Sequence, residues 1–127
     1  MRCARLLATG VLTLVIAVAG QFATASAHAT GKPHREFVYA KIIKLEDGSL
    51  SFRARVADYP DGYVALMKKT CRTCTWSRVA IRRTTDFGRV FMPVPAPSQG
   101  RWYWRYRTPQ TADFAVSYSA TWYTFRD

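Results

Sequence analysis

The chain has 127 residues with a formal net charge of +11, from 19 Lys and Arg against 8 Asp and Glu, and 49% of it is hydrophobic. That apolar share excludes a disordered chain, which needs low hydrophobicity to stay without a core, and the length leaves room for one domain of ordinary size. So large a positive charge favours acidic partners, but it bears on solubility and attraction rather than on fold.

At the N-terminus, Arg2 and Arg5 stand ahead of an apolar run from Leu6 to Ala19 that is broken only by Thr9, Gly10 and Thr13. A charged segment followed by an apolar one is the layout of an export signal. Signal peptidase needs small residues at −3 and −1, and Ala25-Ser26-Ala27 supplies them, as does Ala27-His28-Ala29. The expectation is a signal peptide over residues 1–27, cleaved after Ala27 or Ala29, and a secreted, extracellular product. An uncleaved anchor would need about 20 apolar residues, more than this diluted run holds. Cys3 lies upstream of the run and so cannot be the lipid-bearing cysteine of a lipoprotein, which must directly follow the cleavage site. The chain closes on Trp122 to Asp127 with no apolar tail, so the mature chain is expected to have no membrane span. Losing Arg2 and Arg5 leaves 17 basic and 8 acidic side chains, a net +9.

Residues 28–36 are polar, contain Gly31 and Pro33, show no period and read as a flexible leader. From Phe37 the pattern changes to short apolar or alternating runs closed by turn residues, with no sustained helical period. The runs are Phe37 to Leu45, Leu50 to Val56, Tyr63 to Lys69, Trp76 to Arg83, Gly88 to Val94, Arg101 to Arg107 and Phe114 to Phe125. Between them stand Glu46 to Ser49, Asp58 to Gly62, Thr84 to Asp86, Pro95 to Gly100 and Thr108 to Thr111, where Gly supplies positive φ and Pro interrupts pairing. Seven strands spaced in this way predict an all-β domain over residues 37–127, a sandwich or a barrel.

Two runs assign their own faces. Leu50, Phe52, Ala54 and Val56 alternate with polar residues, so they point to the core and Arg53 and Arg55 point to water. Likewise Trp102, Trp104 and Tyr106 share one side of the sixth run, and Arg101, Tyr103, Arg105 and Arg107 share the other. A slip of one residue would bury three arginines, so the register is fixed. The predicted core is Leu50, Phe52, Val56, Val64, Leu66, Trp76, Trp102 and Trp104. The first and last runs are apolar on both faces in places, at Ile42-Ile43 and Trp122-Tyr123, which fits either a bulge or a strand covered by an opposite sheet.

The order of these features has a parallel. Leu50, Phe52, Ala54 and Val56 at alternate positions are followed by Asp61-Gly62-Tyr63-Val64 with Leu66, then Trp76 with Val79, then Thr85-Asp86 with Gly88-Arg89, then Tyr103 with Arg105-Tyr106-Arg107, then Ser117-Tyr118-Ser119. This series resembles the immunoglobulin-like sandwich domains of small bacterial exported proteins, and the resemblance covers nearly the whole mature chain. It implies a single seven-stranded antiparallel sandwich used for binding or as a spacer outside the cell, generally without an active site. The chain departs from antibody domains in its two mature cysteines, which lie three positions apart and not on separate strands.

Cys71 and Cys74 are expected to form a disulfide in an oxidising exterior and to close the loop between the third and fourth strands. The sharper alternative is a redox Cys-x-x-Cys, whose thiolate is normally stabilised at the start of a helix; no helical pattern follows here. Zinc needs four ligands and a second cysteine pair is missing, while His34 falls in the leader. Glu46, Asp47, Asp58, Asp61 and Asp86 all lie in turns, where a carboxylate bonds the local backbone. Asp58 and Asp61 alone are too few for a calcium loop. With no base, nucleophile motif or metal cluster, the chain reads as a non-enzyme without a cofactor. Arg53, Arg55, Arg101, Arg105 and Arg107 must face outward, and they are the candidate anion-binding residues; if their two strands shared a sheet they would form one basic stripe. The partner class this implies is an anionic cell-wall polymer or another envelope protein, with nucleic acid a poor match for an exported chain. The alternatives are a spacer without a specific ligand, and the redox protein.

Overall fold

Apolar residues at every second position cannot form a helix face, and they build strands here wherever turn chemistry brackets them. A computed structural model describes residues 31–127; the expected signal peptide, residues 1–27, lies outside the described residues. The strands are β1 (Phe37–Lys44), β2 (Leu50–Val56), β3 (Tyr63–Lys69), β4 (Ser77–Arg83), β5 (Arg89–Pro93), β6 (Trp102–Thr108), β7 (Ser117–Tyr118) and β8 (Trp122–Thr124). There is no helix among the described residues. All strand pairings are antiparallel and make two sheets, one in the order β1-β2-β5 and one in the order β4-β3-β6-β7, with β8 also on β6.

Turn residues act where the sequence places them. Asp47 accepts hydrogen bonds from the Ser49 N–H and hydroxyl at 2.9 and 2.6 Å, and Gly48 at φ 88° donates to Leu45, which closes the β1–β2 hairpin. Asp58 and Asp61 adopt φ of 48° and 49°, a region that Asp tolerates better than most residues. Gly88 is obligatory for a different reason. Its carbonyl accepts from Val56 N at 2.8 Å, its φ is +78°, and a Cβ there would collide with the Val56 carbonyl.

Both sheets contribute to one core. Phe52 and Ala54 of β2 and Val90 and Met92 of β5 cluster with Val64 and Leu66 of β3 and Trp104 and Tyr106 of β6, all buried. The Phe52 and Tyr106 rings stack at 4.5 Å, and the Tyr106 hydroxyl donates to the Phe52 carbonyl at 2.7 Å. Trp104 Nε1 donates to Thr124 Oγ1 at 2.9 Å, so the indole has the partner that a buried N–H requires. Leu50 and Trp102 are half-buried at the margin of this cluster.

The structure departs from the sequence expectation in three places. Trp76, expected in the core, is half-buried just before β4 and touches Lys69 and Arg105 on the outer side. The cause is a bulge at Leu66/Met67: Leu66 pairs with Ala80 but Met67 with Arg78, so residues before Val79 change face. The last run holds two short strands rather than one. Between them Ser119 Oγ accepts from Tyr106 N at 2.7 Å and donates to Ala120 O at 3.0 Å, a side chain standing in for the ladder. The segment expected as a leader is, from Pro33 on, tied to the domain. Ala115 N donates to Pro33 O, Arg35 N to Ser117 Oγ at 2.7 Å, and Ala57 N to Glu36 O, while the Arg35 guanidinium sits 4.0 and 4.1 Å from the Tyr59 and Phe114 ring centres.

Burial pushes the Tyr106 phenol above its ordinary pKa, an effect that Arg82 partly opposes. The ionised form is thus disfavoured in the folded state, so its contribution is intact below the unfolded value near pH 10 and is lost as pH rises above it. Tyr106→Phe removes the hydroxyl's bond to the Phe52 carbonyl and is expected to lower stability by about 0.5–1.5 kcal/mol. It should also remove part of the alkaline loss above about pH 10, both read from urea unfolding at pH 7 and pH 11.

Candidate anion-binding faces

Alternation carries the core pattern of β2 and β6 directly into their outer faces. Arg53 is exposed and Arg55 half-exposed on the three-stranded sheet, whereas Arg105 and Arg107 lie half-exposed on the five-stranded sheet and Arg101 is exposed just before β6. The five arginines therefore do not form one stripe. Since the inner faces of the two sheets share a core, Arg53 and Arg55 point one way and the other three point the opposite way.

Register builds the first face. Lys41 on β1 pairs with Arg53, which pairs with Phe91 on β5; one step along, Tyr39 pairs with Arg55, which pairs with Arg89. Lys41, Arg53, Arg55 and Arg89 consequently occupy two neighbouring rows of the same face, in which strands are about 4.8 Å apart and same-face residues about 7 Å apart. A shallow hollow of about 260 Å³ lies here, lined by Tyr39, Arg53, Arg89, Val90 and Phe91. Arg55 Nε donates to Phe87 O at 3.2 Å and Arg89 lies 5.7 Å from the Phe87 ring centre.

The second face is built differently, from cations held against rings. Arg105 lies between Trp76 and Tyr118, its guanidinium carbon 4.3 and 3.9 Å from their ring centres. Arg101 sits 4.4 Å from the Tyr123 ring centre, and the Lys69 ammonium is 4.9 Å from Trp76 and 5.6 Å from Tyr103. Arg107 pairs with Tyr118 across β6 and β7. Burial draws the Arg105 pKa below its ordinary value; Tyr118 opposes this and Arg107 adds to it, though a guanidinium stays protonated throughout. Its Nε is buried without a hydrogen-bond acceptor among the described residues.

Neither face carries an acid. Every Asp and Glu of the described residues lies outside the strands, and the ion pair there, Asp61 with Arg83 at 2.9 Å, is at the β3–β4 edge. No group of three or more potential metal ligands occurs among the described residues, and no helix there is long and apolar enough to cross a membrane. A wider cleft of about 740 Å³ opens at the far end of the sheets, lined by such residues as Ile42, Leu50, Val94, Tyr123 and Phe125.

Cys71 and Cys74 lie beyond β3 with their sulfurs at disulfide distance and their Cα atoms 5.0 Å apart, and Cys74 N donates to Cys71 O at 3.2 Å. The turn they close carries no helix. His34, in turn, has Nδ1 2.9 Å from the Val116 carbonyl.

Sequence reasoning named Arg53, Arg55, Arg101, Arg105 and Arg107 but missed Lys41, Arg89, Lys69 and Trp76. Lys41 and Arg89 join the first face only through strand pairing, which one chain pattern does not encode. The bulge that turns Trp76 outward has no sequence signal of its own. Compared with known proteins, the chain matches no family model, no curated protein and no solved structure.

The cystine encloses so short a loop that the chain-entropy account gives it about 2 kcal/mol. Replacing Cys71 and Cys74 together with Ser is expected to cost no more than that in urea unfolding and to leave the far-UV dichroism unchanged.

Proposed function

We propose that this chain is an exported, non-enzymatic, immunoglobulin-like β-sandwich module that holds an anionic cell-envelope polymer through its outward cations. The sandwich reading is supported by the strand order, β1-β2-β5 against β4-β3-β6-β7, because strands A, B and E divide in this way from strands C, F and G in immunoglobulin domains, the strand between C and E here joining the second sheet. The seventh strand of that plan corresponds to the β7 and β8 pieces together. Export rests on the signal ending at Ala27 or Ala29.

One observation carries the binding reading: Lys41, Arg53, Arg55 and Arg89 crowd two rows of one sheet face, with no carboxylate in any strand. Like charges opposite one another weaken a sheet. A domain that needed charge only for solubility would gain from scattering these cations or interleaving acids. A polyanion laid across the face relieves the repulsion. Three of the four are arginines, whose planar forks pair two-to-two with phosphate or carboxylate. Phosphate-bearing and carboxylate-bearing wall polymers share that chemistry, and the cell exterior offers both.

Retention on immobilised polyphosphate and polygalacturonate tests the reading and separates the two sources. Binding is expected at low salt and should fall steeply above about 0.1 M, where exposed charges are screened over roughly 10 Å. Replacing Arg53, Arg55, Arg101, Arg105 and Arg107 with Gln should reduce retention at least tenfold while thermal unfolding stays cooperative. Undiminished retention of that variant, or none by the parent at low salt, would leave the spacer reading in its place.

A further inference from the structure

We infer that the protein bridges anionic polymer chains: its two outer faces are separate binding sites, and one molecule holds a chain on each. The inference rests on the binding reading above and extends it from attachment to cross-linking.

The faces are complete independently. The first has Lys41, Arg53, Arg55 and Arg89 in adjacent rows, and the second has Lys69, Arg101, Arg105 and Arg107 with three of the four against aromatic rings. Each set comes from a different sheet, and the residues between them are the shared core of Phe52, Ala54, Trp104 and Tyr106. Packed sheets lie about 10 Å apart and the side chains project outward from both, so the two charge layers are separated by roughly 20 Å. That is about two screening lengths at 0.1 M salt, and neither face feels the occupancy of the other strongly.

The two edges between the faces differ. At the β1 edge the joint is Trp122, whose Nε1 donates to Ala40 O at 2.8 Å, with exposed Val38 nearby in sequence. At the β4–β5 edge Arg82 Nη1 donates to Phe91 O at 2.8 Å, which adds one cation to the border of the first face, and Arg83 pairs with Asp61 where β3 begins. A polymer bound along the first face would have to turn through the roughly 20 Å thickness of the two sheets to reach the second, so the second face is left for another chain.

The test uses polygalacturonate or polyphosphate, whichever retains the parent protein, on beads and as a fluorescent polymer in solution. The parent protein should be retained on the beads and capture the soluble polymer, with capture passing through a maximum and falling as soluble polymer is raised to excess. Two variants each remove one face, Arg53, Arg55 and Arg89 to Gln, and Arg101, Arg105 and Arg107 to Gln. Each should still be retained but capture at least tenfold less soluble polymer. Because Arg105 is clamped between two rings, Lys69, Arg101 and Arg107 to Gln serves as a second version of the second-face variant. Retention of the parent without capture overturns the inference and leaves the binding reading intact. So does full capture by either single-face variant, or loss of all retention when one face alone is removed. A parent retained on neither polymer overturns both.

Discussion

The contact between Tyr106 and Phe52 determines which way most of this molecule points. It joins the two sheets twice, by ring stacking and by a hydroxyl donating to a main-chain carbonyl. Once Phe52 faces inward, strict alternation sends Arg53 and Arg55 out; once Tyr106 faces inward, Arg105 and Arg107 go out on the other side. A slip of either strand would drive guanidinium groups into an apolar core, where an unpaired charge is prohibitively costly. Gly88 guards the same register from the other end, because its carbonyl receives Val56 N and its missing side chain lets the two strands approach.

A domain with so few acids must manage its own repulsion, and it does so with rings. Arg35 lies between Tyr59 and Phe114, Arg105 between Trp76 and Tyr118, and Lys68 reaches inward to sit 3.4 Å from the Trp102 ring centre. The electron-rich face of an aromatic ring attracts a cation without adding a negative charge, so these contacts stabilise the domain while leaving its field positive. A carboxylate in the same place would neutralise the face. The Arg35 contact has a structural result as well, since it holds the N-terminal segment against the turn that carries Tyr59 and against Phe114.

The sequence was most legible where alternation was cleanest. β2 is read correctly in extent and facing, and β6 in facing and to within one residue at each end, because each has apolar residues on one side and arginines on the other; Phe52, Trp104 and Tyr106 follow directly. Legibility fails where a face depends on a neighbour. Trp76 has the composition of a core residue, but a bulge in the β3–β4 pairing turns it outward, and the bulge is a property of two strands. The final run has no Gly or Pro to divide it, yet the strand is interrupted at Ser119, whose hydroxyl in place of a main-chain carbonyl accepts from Tyr106 N. His34 to Glu36 are polar and aperiodic, and their hydrogen bonds are to residues more than twenty or eighty positions away. Arg53, Arg55, Arg101, Arg105 and Arg107 were identified because each alternates with core, but Arg89 joins the first face only through its pairing with Arg55, and the division between two faces needed the sheet assignment.

On the binding reading, that division gives the two faces different work. Lys41, Arg53, Arg55 and Arg89 are packed closely and none is clamped between two rings, so the first face presents a dense positive potential that tolerates variation in the spacing of the anions it meets. Arg105 on the second face is fixed between two rings, with its Nε already out of water. A side chain immobilised before binding loses little rotamer freedom when a partner arrives, and ordering a long side chain otherwise costs about 0.5–1.5 kcal/mol. The clamp also fixes the plane of the guanidinium, and a planar fork pairs well only with an oxyanion that lies in that plane. Charge density would therefore govern attraction at the first face, whereas orientation would govern selection at the second.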